Sequence, residues 1–322
     1  MRRRGFLGTV AAAGLAASKK ILDSSAQGSE SSKLNPIPKR RLGKTGIDLS
    51  ILALGGMVVM DTEQTFANNI VAEAFDRGIN YFDVAPQYGN AQQILGPALE
   101  PYRKRSFLAC KTLMRDKAGA AKELDDSLRK LRTDHVDLYQ FHAVTTKEDV
   151  EKIFGRGGAM ETFQAARQAG KVRFLGFSAH SVENAFSMLD RYDFDTILFP
   201  INFVLFSQAD FGPQVLARAR EKGMGILALK GMAKTAWPEA QRKDHPNPKC
   251  WYQPAALPEE ASLGLRWTLS QPITAAVPPG DEKYFRLAMD VAQKFEPIKP
   301  EEEKTLMARA QGVEPIFHLA KA

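Results

Sequence analysis

Four residues in the first half of the chain belong to types that can move protons: Asp83, Tyr88, Lys111 and His142. A free tyrosine hydroxyl, with a pKa of about 10, is a reluctant acid at neutral pH. A lysine ammonium beside the hydroxyl would favour the phenolate and lower that pKa. An aspartate paired with the lysine would keep the ammonium charged. A histidine could donate to, or orient, a substrate oxygen. These residue types suit acid–base chemistry at an oxygen atom.

Eight short apolar runs, separated by segments of helical period, make up most of the chain after residue 50. Their near-continuous apolarity is typical of parallel strands that are buried on both faces. The runs are Ile51–Leu54, Tyr81–Phe82, Phe107–Cys110, Val136–Phe141, Val172–Phe177, Ile197–Ile201, Ile226–Leu229 and Ile273–Val277. This alternation predicts an α/β fold, a (β/α)8 TIM barrel, preceded by a short N-terminal β-hairpin over Arg41–Ser50. A doubly wound sheet is the alternative, disfavoured because no Gly-x-Gly-x-x-Gly follows the first run.

Polar or glycine-bearing residues follow every predicted strand, which is where a barrel of this kind places its active site. In chain order they are Gly55-Gly56, Asp83 to Gly89, Lys111-Thr112, His142, Ser178 to His180, Asn202, Lys230-Gly231 and Pro278 to Gly280. Because the carboxyl ends of the strands meet at one end of a barrel, we expect these residues to surround a single site.

The motif Asp83-x-Ala85-x-x-Tyr88-Gly89, with Lys111 closing the third strand and His142 closing the fourth, resembles the aldo-keto reductase superfamily. The resemblance extends from about residue 41 to residue 295. It implies an oxidoreductase that reduces an aldehyde or ketone, or oxidises the alcohol, by hydride transfer from a nicotinamide cofactor. Tyr88 would be the proton donor, assisted by Lys111, Asp83 and His142. Two alternatives stay open: a non-catalytic nucleotide-binding or regulatory barrel subunit, and a non-redox acid–base enzyme on the same fold.

The resemblance also implies a cofactor, NADP, with NAD as the alternative. Ser178 stands at a family position that binds the nicotinamide amide. Ala179 and Leu198 stand where the family has Asn and Gln, and Asn202 and His180 are nearby polar groups that could substitute.

The phosphates of the cofactor are expected after the eighth strand, where Gly280 begins a turn into a helix whose N terminus favours anions. Lys283 and Arg286 are cations for a 2′-phosphate, although Asp281 and Glu282 lie beside them and could instead accept from a ribose hydroxyl. Lys230 could reach a cofactor phosphate. The complete set of predicted cofactor contacts is Gly55, Gly56, Ser178, Asn202, Lys230, Gly280, Lys283 and Arg286, and no metal site is predicted.

The first residues resemble a twin-arginine signal peptide. Arg3-Arg4-Gly5-Phe6-Leu7 precedes a weakly apolar, Ala- and Gly-rich run, and small residues follow near Ala26. That run is too short for a membrane span, which needs about 20 apolar residues. We expect a signal peptide over residues 1–26, a linker over 27–38 and the barrel over 39–322. Export by the twin-arginine translocase would place the barrel in the periplasm or otherwise outside the cytoplasm. A cytoplasmic protein with a basic start and an uncleaved amphiphilic anchor are the alternatives.

The charge of the chain does not indicate a nucleic-acid partner. The formal net charge is +7, of which +4 lies in residues 1–26, and no dense basic stripe interleaved with aromatic residues remains. The resemblance to the aldo-keto reductases instead implies a small-molecule carbonyl or alcohol substrate. The long stretch Gly231–Leu257 carries Trp237, Trp251 and Tyr252 and predicts a lid or specificity wall over the barrel mouth. The segment from Pro300 onward predicts one more helix and a tail.

Overall fold

The computed structural model describes residues 35–320, so the predicted signal peptide and the predicted linker as far as residue 34 lie outside the described residues. The last residues of that predicted linker pack against the barrel. Ile37 is 2% exposed, and its amide donates to the carbonyl of Arg77 at 2.8 Å. An antiparallel hairpin follows, formed by β1 (Lys39–Arg41) and β2 (Asp48–Ser50), as predicted.

Eight parallel strands form one sheet that closes into a barrel, because a parallel bridge between Leu52 and Ala276 joins its two edges. Consecutive barrel strands are hydrogen-bonded neighbours. The strands are β3 (Ala53–Gly55), β4 (Tyr81–Asp83), β5 (Phe107–Thr112), β6 (Val136–Val144), β7 (Val172–Ala179), β8 (Thr196–Pro200), β9 (Gly225–Leu229) and, after the antiparallel hairpin β10 (Ala233–Ala236)–β11 (Tyr252–Pro254), β12 (Ala275–Val277). The predicted barrel is confirmed.

The helices pack around the barrel through their apolar faces. They are α1 (Gln64–Asp76), α2 (Ala91–Leu99), α3 (Lys117–Lys130), α4 (Lys147–Phe154), α5 (Ala159–Gln168), α6 (Val182–Arg191), α7 (Phe203–Gln208), α8 (Pro213–Glu221), α9 (Pro258–Ser270), α10 (Glu282–Gln293) and α11 (Pro300–Ala310). Local sequence explains where several begin. Thr146 and Asp149 form a capping box at the start of α4, and Pro258 opens α9. Within residues 35–320, no helix is long and apolar enough to span a bilayer.

Alternate residues of each strand point into the barrel, and this alternation brings the polar strand ends together. Tyr81 of β4 and Phe107 of β5 fill the interior, with ring centroids 5.9 Å apart. Asp83 lies two residues after Tyr81, and Lys111 lies four residues after Phe107, so both point the same way at the carboxyl ends of their strands. The strand period therefore selects which polar side chains reach the barrel mouth.

Candidate active site

A buried ion pair lies at the centre of the barrel mouth. The Lys111 ammonium donates to a carboxylate oxygen of Asp83 and, at 3.4 Å, to the carbonyl of Val84. Asp83 also accepts from the Tyr81 hydroxyl at 3.1 Å. Burial alone would lower the pKa of Lys111, but the negative charge of Asp83, with the neighbouring Tyr88, outweighs it and the pKa lies above its usual value. The ammonium therefore stays charged inside the protein.

Tyr88 follows β4 and faces this pair. The Lys111 nitrogen lies 5.3 Å from the centroid of the Tyr88 ring, which meets the His142 ring edge-on at 5.8 Å. Burial raises the pKa of Tyr88 and Lys111 lowers it, and burial wins, so the net pKa lies above the usual tyrosine value. Lys111 thus acts in the predicted direction, but the predicted net lowering of the Tyr88 pKa is wrong, because burial opposes formation of the phenolate.

His142 near the end of β6 is held in one orientation by a chain of side chains. Its Nδ1 lies 3.0 Å from Oε1 of Gln87, and the Gln87 amide nitrogen donates to Glu123 at 3.2 Å. Because Glu123 fixes the amide nitrogen of Gln87, the oxygen faces His142 and the network assigns the proton to Nδ1. Burial, with a smaller contribution from Lys111, lowers the pKa of His142 to about 2. The imidazole is neutral, with a lone pair on Nε2.

The predicted catalytic residues line one cavity of about 320 Å³ at the carboxyl ends of the strands. Its apolar floor consists of Leu198, Leu229 and Val277. Its polar walls come from several different strand ends. They consist of Asp83, Gln87, Tyr88, Lys111, His142, Ser178, His180, Lys230 and Lys249. The structure thus brings Asp83, Tyr88, Lys111 and His142 together, as the strand order predicts.

Four of the predicted cofactor residues also reach this cavity: Gly55, Ser178, Lys230 and Gly280. Ser178 is 1% exposed, and its hydroxyl oxygen accepts from the amide of Ala143 at 2.8 Å. Gly280 is required by packing, because a Cβ there would lie 2.5 Å from Cβ of Met57. Their contact with a cofactor stays a prediction.

Two other predicted cofactor residues, Gly56 and Asn202, make packing or capping contacts within the protein. Gly56 packs against Val84, whose Cγ2 would lie 2.7 Å from an added Cβ. Asn202 caps α7, because its side-chain oxygen accepts from the amide of Leu205 at 2.8 Å. Its amide nitrogen donates to the carbonyl of Lys230 at 3.1 Å. The structure places neither Gly56 nor Asn202 on the cavity surface, contrary to the prediction.

Lys283 and Arg286 lie on α10, away from the cavity. Both are exposed. The Arg286 guanidinium pairs with Glu73 of α1 and, at 2.8 Å, with Glu282 of its own helix. Glu73 lies more than 200 positions from Arg286 in the chain, so the sequence gives no sign of this pair, and contact of Arg286 with a cofactor phosphate stays a prediction.

The strap, defined as residues Gly231–Leu257, forms one wall of the cavity, as predicted. Lys249 donates to the carbonyl of Val58 at 2.9 Å, and the Cys250 thiol donates to Asp281 at 3.1 Å. Lys249, Trp251 and Tyr252 line the cavity. Trp251 is 55% exposed at the mouth. The strap therefore connects the first and last strand loops of the barrel.

Sequence reasoning missed several residues of the site. Gln87 lies inside the recognised motif, directly before Tyr88, but its partner Glu123 belongs to α3. The sequence marks His180 only as a polar group that could contact the nicotinamide amide, and Lys249 is one of several lysines in the strap. The sequence therefore gives a signal for Gln87, through its place in the motif, and for His180, but none for Lys249.

Comparison with known proteins agrees with this architecture. Residues 52–280 match the model of the Aldo/keto reductase family. The uncharacterized oxidoreductase YqkF of Bacillus subtilis is 33% identical over 155 residues, which cover 44% of this chain and 48% of YqkF. L-Galactose dehydrogenase of Arabidopsis thaliana is 26% identical over 221 residues, which cover 62% of this chain and 67% of that protein.

A solved structure extends the comparison to the whole barrel. The aldo-keto reductase of Bacillus halodurans in its holo form superposes with a TM-score of 0.67 at 22% identity, covering 88% of this chain and 98% of that one. The chain spans about half the length of the curated relatives that it matches at 30% identity or more. Because the family model matches most of the chain and the fold is that of its structural neighbours, the chain belongs to the aldo/keto reductase family.

Proposed function

We propose that this protein is an oxidoreductase that reduces an aldehyde or ketone, or oxidises the corresponding alcohol, with a nicotinamide cofactor. One observation carries the proposal: Tyr88, the buried Lys111–Asp83 pair and His142 face one cavity at the carboxyl ends of the barrel strands. Family membership supports the same reaction class. Four suitable side chains from three neighbouring strand ends are difficult to explain as ordinary packing.

The lining of the cavity suits the nicotinamide end of a dinucleotide cofactor. A planar ring suits the apolar floor of Leu229 and Val277, and a pyrophosphate suits cations and helix N-termini. Gly280 lies two residues before the start of α10, and Lys249 makes no ion pair with a carboxylate among residues 35–320. Gly280 and Lys249 would hold the pyrophosphate, with Gly55 allowing close approach. When bound, the cofactor supplies the hydride.

The residues of this chain would handle the charge and the proton. The carbonyl oxygen gains negative charge during reduction, and the Tyr88 hydroxyl can supply the proton that neutralises it. The raised pKa of Tyr88 keeps that proton in place at neutral pH before the reaction. Lys111, held charged by Asp83, stabilises the phenolate that remains. Nε2 of His142 would accept from a hydroxyl of the substrate or the product and so orient it.

We propose NADP(H) as the cofactor, with NAD(H) as the alternative. Lys283 is exposed at the start of α10, where it could meet a 2′-phosphate. Arg286 would have to leave Glu73 and Glu282 to assist it. The test compares the Kd of NADPH with that of NADH in the wild type and in Lys283→Met. Tighter binding of NADH by the wild type would overturn the NADP(H) assignment.

The decisive variant is Tyr88→Phe, tested against a panel of aldehydes and sugars. Loss of a positioned general acid lowers the rate by about 10²- to 10⁴-fold, so kcat/KM should fall by that amount. The Kd of the cofactor should stay unchanged. Tyr192→Phe is the matched control, since its hydroxyl contacts Arg167 on the outer helices. Undiminished reduction by Tyr88→Phe would exclude the assigned role.

The same measurements separate the two alternatives. Nucleotide binding without turnover of any substrate would favour a regulatory barrel subunit. Absence of both bound nucleotide and nucleotide-dependent stabilisation would favour a non-redox acid–base enzyme.

We further propose that residues 1–26 direct export through the twin-arginine translocase, to the periplasm or another extracytoplasmic site. The support is the sequence around Arg3 and Arg4. Because this route carries folded proteins, a cofactor could be bound before export. Residues 1–38 fused to a folded reporter should be exported, and replacing both arginines by lysine should stop export. A reporter that stays in the cytoplasm with both arginines present would favour the cytoplasmic alternative.

A further inference from the structure

The backbone at His142 departs from the regular strand conformation. The pairing of β6 with β7 shifts register between Phe141 and Val144. His142 and Ala143 therefore lie opposite one residue of β7, Ser178, and form a bulge. Bulges next to active sites commonly redirect a side chain. Ala143 has a φ of 52°, in the left-handed region that alanine rarely adopts, so contacts from outside the strand are needed to hold it.

Arg115, in the loop between β5 and α3, supplies such contacts. Its Nη2 donates to the carbonyl of His142 at 2.7 Å and to that of Ala143 at 3.3 Å. Its Nη1 donates to the carbonyl of Thr112, the last residue of β5, at 3.4 Å. The amide of Ala143 in turn donates to the Ser178 hydroxyl at 2.8 Å. The guanidinium thus joins the carboxyl ends of β5 and β6 through their backbones.

Asp149 of α4 fixes the position of Arg115. The Nε of Arg115 donates to the Asp149 carboxylate at 2.9 Å, and the two side chains are only 11% and 23% exposed. Asp149 also accepts from the amides of Thr145 and Thr146, at 3.1 and 3.4 Å, at the start of α4. An ion pair that only tied the loop to the helix would need the contact with Asp149 alone. The guanidinium instead donates to three backbone carbonyls as well.

We propose that Arg115 is a positioning residue of the active site, which holds the left-handed backbone at Ala143 and so directs the imidazole of His142 into the cavity. Asp149 orients the guanidinium for this task. Arg115 does not line the cavity, so it acts through the backbone of the bulge. This inference rests on the proposed function for its effect on turnover, but the conformation of Ala143 can be measured without turnover.

The charge of Arg115 also acts on His142, and its effect can be separated from that of geometry. Burial is the main reason for the low pKa of His142, and the positive charge of Arg115 adds to the lowering. Arg115→Lys keeps the charge, but one ammonium cannot replace three nitrogens that point in fixed directions. If geometry is the cause, Arg115→Lys should lose nearly as much activity as Arg115→Met.

The first measurement is kcat/KM for the aldehyde on which the wild type is most active. A hydrogen bond to a charged group contributes a factor of about 10 to 100, and misplacing a catalytic group by about 1 Å costs about 100-fold. Arg115→Met should therefore lower kcat/KM about 10- to 100-fold and leave the Kd of the cofactor unchanged. Arg191→Met is the matched control, because it breaks an exposed ion pair with Glu151 of the same helix α4. Its kcat/KM should equal that of the wild type.

The second measurement is a rescue by Ala143→Gly. Glycine adopts the left-handed conformation without the steric cost of a Cβ, so it can hold the bulge with less help from the guanidinium. Added to Arg115→Met, Ala143→Gly should raise kcat/KM about 5-fold or more, because the left-handed conformation costs an alanine about that factor. Equal activity of Arg115→Met with and without Ala143→Gly would overturn the positioning role.

The third measurement needs no turnover, because the Cα and Cβ chemical shifts of Ala143 in NMR report its backbone conformation. Left-handed shifts in the wild type that become extended in Arg115→Met support the proposal even if no substrate is reduced, in which case only the proposed function fails. Unchanged shifts in Arg115→Met, or wild-type kcat/KM in Arg115→Met or Arg115→Lys, overturn the positioning role and leave the proposed function standing. If Arg115→Met does not fold, the double variant with Asp149→Asn, which leaves no unpaired carboxylate, takes its place.

Discussion

Nδ1 of His142 lies 3.0 Å from the side-chain oxygen of Gln87, so an exposed residue of the motif loop sets the orientation of a half-buried ring. Glu123 of α3 accepts from the amide nitrogen of Gln87, which fixes the direction of the whole chain of hydrogen bonds. Gln87 is therefore a positioning residue. The arrangement makes Nε2 of His142 an acceptor toward the cavity, and this is a different role from donation to a carbonyl oxygen.

Replacing Gln87 with leucine should remove the hydrogen bond that keeps the proton of the His142 ring on Nδ1. One neutral hydrogen bond contributes about 1 kcal/mol, so kcat/KM should fall about 5-fold. The ring nitrogen resonances of His142 in nitrogen-15 NMR should show a proton on Nδ1 in the wild type and a mixture of tautomers in Gln87→Leu. A wild-type ring protonated on Nε2 would contradict the assignment. Gln208→Leu, on the exposed surface, is the control.

Breaking the Lys111–Asp83 pair should reduce both stability and activity. Lys111→Met leaves the Asp83 carboxylate buried and unpaired, which costs about 3–5 kcal/mol of unfolding free energy. The double variant Lys111→Met with Asp83→Asn should recover part of that stability and none of the activity. Urea denaturation and kcat/KM measure the two effects. Lys117→Met breaks an exposed pair with Glu161 and should change stability little. Full activity in the double variant would exclude a role in catalysis.

The pH profile of carbonyl reduction should be flat through neutrality. Tyr88 must carry its proton to donate it, and because its pKa is raised, reduction should decline only at alkaline pH. Alcohol oxidation needs the phenolate and should rise with pH over the same alkaline range. The pKa of His142 is lowered to about 2 by burial, so its ring should add no acidic limb. A limb in kcat/KM near pH 6.5, the usual pKa of histidine, would contradict this assignment.

Lys249→Met should weaken cofactor binding. The Cβ of Lys249 lies 3.3 Å from the position of a Cβ added to Gly280, which places the residue at the predicted phosphate corner. Loss of one charge-assisted contact should raise the Kd of the cofactor about 10-fold, measured by nucleotide fluorescence. Lys243→Met in the same strap should leave the Kd unchanged. If Lys249→Met and Lys243→Met bind the cofactor with the same Kd, Lys249 does not contact the pyrophosphate.

Much of the fold followed from local pattern. The eight apolar runs predicted eight parallel strands. A strand that is buried on both faces is apolar at nearly every position, which distinguishes it from a half-exposed strand with alternating polar residues. Placing Asp83, Lys111 and His142 together required only the rule that carboxyl ends of parallel strands meet. Arg286 shows what local pattern cannot predict. Its partner Glu73 lies on another helix, and no sequence spacing indicates the pair.

By itself, the sequence determined the barrel, the family motif and the placement of Asp83, Tyr88, Lys111 and His142 at the barrel mouth. These depend on local periodicity and on strand order, which short-range pattern encodes. Only the tertiary structure decided how those side chains behave. Burial reversed the expected pKa shift of Tyr88, Glu123 oriented Gln87 and through it His142, and Arg115 came to donate to the carbonyl of His142. Each of these effects depends on solvent exclusion or on contacts between residues far apart in the chain, and such contacts exist only once the chain is folded.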